Sequence, residues 1–216
     1  MTQASSPTET LVYTAAIDFE FIHALEQAGD PTTACVPMLG QSNSGVTVAH
    51  GVDIGQMSME RLAGLALSRG LIEKLAPYVG LKQHKAAEAL ENAPLTLTEK
   101  EVTQLDRAVY GAIIKDVADR FDAQQNASPE KGWTALPSAA ATVVVSLAVQ
   151  YGPNLAHRTP RFWTYALTHN WMGMITELVD FGDAYSVRRH REAAYLKHHM
   201  FGKSDCKLQE AANDPD

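Results

Sequence analysis

The 216-residue sequence has only two cysteines, Cys35 and Cys206, far apart and without metal-ligand spacing. They read as two free thiols, not as a disulfide framework or a zinc motif. Long apolar runs are missing as well. The longest candidate, Ala139 to Val149, suits a core helix and falls short of a membrane span. Positive charge is not in excess: the formal net charge is −7, which argues against a general polyanion binder, and no basic stripe interleaved with aromatics points to nucleic acid. The histidines form no ligand-spaced motif of the His-Glu-x-x-His kind, so neither metal nor cofactor is expected. Met1 to Glu9 has neither the basic start nor the apolar stretch of a secretory signal. The expectation is a chain made in the cytoplasm as a soluble species, reaching any outside target only when something else carries or releases it.

What is present is mostly helical. Residues 1–10 read as a flexible leader and 203–216 as a polar tail, both too poor in apolar surface to order themselves. Between them, 11–202 read as one domain of the α+β class, mostly α, with a small β ribbon in a lobe at about 30–57 and a larger helical lobe at about 58–200. Thr98-Glu99-Lys100-Glu101 is a capping box that opens a helix running to about Asp122. Ser138, after Pro137, opens an apolar helix that stops at Gly152-Pro153. Thr159-Pro160 puts a cap and a first-turn proline before a helix over Arg161 to Thr168. Asn170 and Ser186 cap two more, ending near Phe181 and His199.

The first helix, Thr14 to Ala28, separates its glutamates by position. At about 100° per residue, Ile17, Phe21, Ala24, Leu25 and Ala28 form one apolar stripe. Ala15, Phe19 and Ile22 form a second, and Glu26 is the next member of that row. Glu20 shares its row with His23 and Gln27, the expected solvated face. Glu26 therefore stands where apolar contact is expected, in the last turn before Gly29. There the negative end of the helix dipole and partial burial both disfavour an ionised carboxylate. A general acid needs that property. A glutamate bonded to a neighbouring arginine would look the same from the residues alone.

From Thr32 to Gly55 the pattern changes to turn clusters, Gly40-Gln41-Ser42-Asn43-Ser44-Gly45, followed by the β-prone Val46-Thr47-Val48, and predicts a hairpin or a three-stranded ribbon. In an extended chain Thr47, Ala49, Gly51 and Asp53 share one face, while Val46, Val48 and His50 share the other. Fully extended, positions 47 and 53 would lie about 20 Å apart, too far for one water molecule. A turn must fall between them, and Gly51 would allow it. Thr47 as a cross-strand partner and Asp53 as a turn cap remain the alternative for these two residues.

Leu25-Glu26, then Ala34-Cys35-Val36-Pro37, then Ser44-Gly45-Val46-Thr47-Val48-Ala49-His50-Gly51-Val52-Asp53-Ile54-Gly55 resembles the pesticin-like branch of the phage-type lysozyme superfamily, which includes bacteriocin muramidases and muramidase domains of type VI secretion effectors. Ser146 to Gly152 and the Arg-rich Arg188 to Leu196 are similar to the core and closing helices of the same proteins. The resemblance implies a two-lobed lysozyme-like fold with a glycan cleft, and a muramidase that cleaves the β-1,4 bond between N-acetylmuramic acid and N-acetylglucosamine. It assigns Glu26 as general acid, Thr47 as the hydroxyl that helps hold the attacking water, and Asp53 as the second carboxylate. Gly45, Ala49, His50, Gly51, Arg188 and Arg191 are the expected substrate-binding residues. Three positions depart from the pattern: Gln27 replaces a frequent glycine, Cys35 the usual aromatic, and Ala49 another frequent glycine.

The implied partners are peptidoglycan strands and a periplasmic immunity protein that inhibits the enzyme, with no nucleic acid, no membrane span and a monomeric chain. The site of action would be the periplasm of a target cell, as an antibacterial effector toxin delivered by a secretion system. A phage endolysin released through holin pores would share the chemistry. A catalytically inactive peptidoglycan-binding module would share the fold.

Overall fold

A computed structural model of the chain describes residues 17–26, 29–125 and 130–211, with side chains as far as Gly202. The leader at 1–10, Gln27 and the side chain of Cys206 lie outside the described residues. The fold is α+β and mostly α, the expected class, with one two-stranded antiparallel sheet among the described residues. The chain divides into two compact units, His23–Ala112 and Ile113–Asp216 together with Met1–Ile22. The ribbon-bearing unit thus also holds several helices beyond residue 57.

In the His23–Ala112 unit, α1 (Phe19–Glu26) contributes its second half. Then come β1 (Thr47–Val48), β2 (Val52–Asp53), α2 (Met59–Gly64), α3 (Arg69–Leu75), α4 (Gln83–Asn92) and the first half of α5 (Glu99–Gln124). Ser58 and Ser68 cap α2 and α3 by accepting the amides of Arg61 and Leu71. The capping box is made as expected: Glu101 accepts the Thr98 amide at 2.8 Å, and Thr98 Oγ1 accepts the Glu101 amide at 3.3 Å. Val46, Val48, Val52 and Ile54 are all buried, together with Leu62, Leu71, Leu75, Leu97 and Leu105. Strand alternation therefore turns the apolar residues of the ribbon inward and leaves Thr47 and Asp53 half-buried on the other face.

In the other unit, α6 (Ser138–Tyr151) is buried from Ala139 to Ala148. An apolar helix without an exposed stripe needs cover on all sides. That cover comes in part from α7 (Leu155–Arg158), packed beside it, and from α10 (Ser186–Ala211). The helices α8 (Pro160–Leu167) and α9 (Trp171–Val179) pack on each other, and α9 packs along α10. Phe121 meets Trp133 and Trp163 edge-on, with ring centroids 5.9 and 5.5 Å away.

Three helix ends differ from the expectation. Ser186 is the first residue of α10, not its cap, since the Arg189 amide bonds the Tyr185 carbonyl at 3.0 Å. Thr159 does not cap α8, because its hydroxyl donates back to the Leu155 carbonyl. The last helix does not stop near His199 but continues to Ala211. No helix of the described residues is long and apolar enough to cross a membrane.

Candidate active site

Asp18 starts α1 by accepting the amide of Phe21 at 2.9 Å, a capping role that leaves no mark on the apolar stripes of the helix. Ile22 is fully buried, Glu20 is exposed, and Glu26 is half-buried at the end of the helix. The separation of the two glutamates drawn from periodicity is present in the fold. The row assigned to solvent is only partly so. His23 is half-buried, and Ala24, assigned to an apolar stripe, is exposed.

The ribbon is a tight hairpin whose register pairs Thr47 with Asp53 and Val48 with Val52. Cys35 completes a third line of pairing: its amide donates to the Thr47 carbonyl at 2.9 Å, and the Thr47 amide returns a bond at 2.8 Å. Cys35 itself is a free, exposed thiol. The turn runs through Ala49 (φ 56°) and Gly51 (φ 82°), two left-handed residues that reverse the chain between Thr47 and Asp53. The expected turn is therefore there, and it breaks the strict alternation beyond Val48. Ala49 carries a side chain in a conformation that disfavours one.

Asp53 is held from across the ribbon. Both its carboxylate oxygens accept the amide of Gly45, at 3.1 and 3.2 Å. The approach is possible because Gly45 and Gly55 touch backbone to backbone. A Cβ on Gly45 would lie 2.3 Å from the Leu81 carbonyl oxygen and 2.5 Å from the Gly55 Cα. The Thr47 hydroxyl donates to the Gly45 carbonyl at 3.3 Å. Gly45 thus contacts both Thr47 and Asp53 through its backbone.

Gly51 brings Glu26 to this hairpin. A Cβ placed on Gly51 would stand 3.5 Å from the Glu26 Cβ and 3.6 Å from its Oε2. The Glu26 side chain at the end of α1 therefore lies against the turn between the two strands that carry Thr47 and Asp53.

Behind the turn lies a cluster that sequence spacing did not reveal. His50 donates its backbone amide to Asp106 Oδ1 at 3.3 Å, and its Nδ1 lies 2.6 Å from Asp106 Oδ2. A carboxylate only accepts, so Nδ1 carries the proton of that bond. The Tyr110 hydroxyl donates to the His50 carbonyl at 2.8 Å. The ring of His23 stacks on that of His50, with centroids 3.8 Å apart and planes 6° from parallel. Burial, and after it the neighbouring His50, hold the His23 imidazole below its usual titration range, while Asp106 pulls the other way. Ligand-type atoms of His23, His50 and Asp106 come within 4.8 Å of one another. Parallel planes cannot both contain one cation at the roughly 2.0–2.1 Å of a zinc–imidazole bond. In this arrangement the three side chains form a stacked, hydrogen-bonded unit and do not chelate. No periodic spacing in the sequence links His23, His50 and Asp106, because His50 and Asp106 lie 56 positions apart.

The two arginines expected at the substrate have different surroundings. Arg191 is exposed on α10. Arg188 is turned into its own unit, where Nε donates to Glu192 Oε1 at 3.1 Å and the guanidinium bonds both the carbonyl and the hydroxyl of Ser146 at 3.1 Å. Beside it, Arg189 is almost fully buried and pairs with Glu192, Asp183 and Gln150. The Arg-rich segment spends these two cations on bracing α10 against α6.

A family model described as Pesticin, bacterial toxin homologue of phage lysozyme, C-terminal part, matches residues 16–172, from just before α1 into α9. No curated protein matches the chain.

Proposed function

The chain belongs to the Pesticin family of phage-lysozyme homologues and carries a muramidase-type domain, and from that footing we propose that it hydrolyses the β-1,4 bond between N-acetylmuramic acid and N-acetylglucosamine in peptidoglycan. The observation that supports this most is the seat of Glu26 against Gly51, in the turn joining the strand of Thr47 to the strand of Asp53. Glu26 donates its proton to the leaving glycosidic oxygen. A water molecule adds to the anomeric carbon, its proton passing to Asp53, while the Thr47 hydroxyl orients it. The Gly45 amide fixes the direction of the Asp53 carboxylate before substrate arrives, so that orientation is not lost to rotamer freedom at the moment of reaction. Ala49, His50 and Gly51 form the turn beside the acid, and Arg191 remains available to acidic groups of the polymer.

Purified protein incubated with peptidoglycan should release muropeptides with reducing muramic ends, read by mass spectrometry. Glu26→Gln should lower that release by at least about 10²-fold, the scale of a lost general acid. Absence of glycan cleavage by the unaltered protein, or undiminished cleavage by Glu26→Gln, would remove this reading.

The proposed setting is an antibacterial effector acting in the periplasm of a target cell after type VI-type delivery, with a periplasmic immunity protein as cognate inhibitor. Family membership among bacterial toxin homologues supports this setting over a phage endolysin. Fusion to a secretory signal should make the protein lytic to the producing cell. Expression without the fusion should not.

A further inference from the structure

We propose that Asp106 is a positioning residue for Glu26, acting through His50; this rests on the muramidase reading above. Asp106 lies on α5, 56 residues beyond His50, and is buried. Its two oxygens take two different donors of the same residue, one from the His50 backbone and one from its ring. A side chain that binds both fixes the ring and the local backbone together.

Tyr110, one helical turn further along α5, holds the carbonyl of His50, and the Ala49 amide donates to the Pro31 carbonyl at 2.9 Å. The turn is thus tied at Ala49 and His50, and the next residue, Gly51, is the one against Glu26. The second connection is the ring stack. His50 lies face to face with His23, and His23 stands three residues before Glu26 on α1. Asp106 therefore restrains both sides of the Gly51–Glu26 contact, the turn through His50 and the helix through the stacked imidazoles. In this proposal Asp106 acts through His50 and does not touch the glycan. It sets where the carboxyl group points.

The test is Asp106→Asn, which keeps the size of the side chain but offers one acceptor oxygen where the aspartate offers two. Tyr78→Phe serves as a control for general loss of stability, because it removes a hydrogen bond in the same unit, from the Tyr78 hydroxyl to the Ala93 carbonyl at 2.7 Å. Turnover of soluble glycan fragments should show kcat reduced about 10- to 100-fold in Asp106→Asn with KM within about twofold, the pattern of a misplaced catalytic group. Tyr78→Phe should retain kcat once the folded fraction is accounted for. In parallel, the Gly51 amide and Glu26 carboxyl NMR signals should move in Asp106→Asn and stay in place in Tyr78→Phe. Unchanged kcat in folded Asp106→Asn, unmoved signals, or an equal loss of kcat in Tyr78→Phe overturns the proposal. If the unaltered protein cleaves no glycan, the muramidase reading falls, and the NMR arm still decides whether Asp106 positions the Glu26 carboxyl.

Discussion

The carboxylate of Asp53 and the amide of Gly45, eight residues apart, are bound to one another, both oxygens accepting the one N–H at 3.1 and 3.2 Å. The bond depends on a residue without a side chain, since the Gly45 backbone runs directly against Gly55 and the Leu81 carbonyl. Gly45→Ala forces backbone atoms apart, and backbone gives way less readily than a flexible side chain. The expected loss of stability is about 1–3 kcal/mol, the range of overpacked sites, read from the midpoint of urea unfolding. Activity should fall with it, because Asp53 loses its guide. A midpoint equal to that of the unaltered protein would show that the ribbon relaxes around the added carbon.

Gly51→Ala tests the turn in another way. The added Cβ would meet Glu26 at ordinary contact distance, 3.5 Å, so the cost comes from the left-handed φ of 82°. About 1–2 kcal/mol of stability should be lost, and glycan turnover should decline because the methyl group occupies the face of the acid. Paired denaturation and turnover measurements check both.

Ala49→Gly is the converse change. Ala49 holds φ at 56° without the freedom of glycine. Relief of that strain, set against the greater entropy of the unfolded chain, should stabilise the protein by about 1 kcal/mol. Calorimetry should show a melting temperature a few degrees higher. A lower one would contradict the strain assigned to this position.

His23 predicts an acid-side loss of stability. Its folded-state titration is depressed, by burial first and by His50 second, from the usual 6.5. The unfolded chain therefore binds more protons than the folded one as pH falls through and below that value, and proton uptake favours unfolding. The contribution is intact above about 6.5 and is lost progressively below it. His23→Phe keeps an aromatic ring on His50 and removes the titration, so the fall in melting temperature between pH 7 and 5 should be shallower than in the unaltered protein. Equal slopes would refute the assignment.

The Arg188–Arg189–Glu192 cluster predicts the largest stability effect. Glu192 is fully buried and takes both arginines as well as the Ser146 hydroxyl. Glu192→Gln leaves Arg189 charged and underpaired in the interior, a change of about 3–5 kcal/mol. Chemical denaturation measures it. A loss below about 1 kcal/mol would mean that Asp183 and Gln150 suffice to hold the buried cation.

What is legible from the residues without the fold is short-range. The 3.6-residue period set Glu26 apart from Glu20, the capping box opened α5 at Glu99, and strand parity put Thr47 and Asp53 on one face, with the turn supplied near Gly51. Each depends on residues a few positions apart, where backbone geometry alone decides which side chains are neighbours. Tertiary structure decided the rest. His50 meets Asp106 only when 56 residues of chain close into a loop, and such a contact leaves no periodic mark on either segment. Likewise, Arg188 and Arg189 could have faced an acidic polymer or their own unit. They turn inward because Glu192 and Ser146 are buried there, and buried polar groups must find partners. Periodicity set Glu26 apart, and its contact with Gly51 is a property of the folded chain alone, because nothing at one end of the intervening 24 residues specifies where the other end returns.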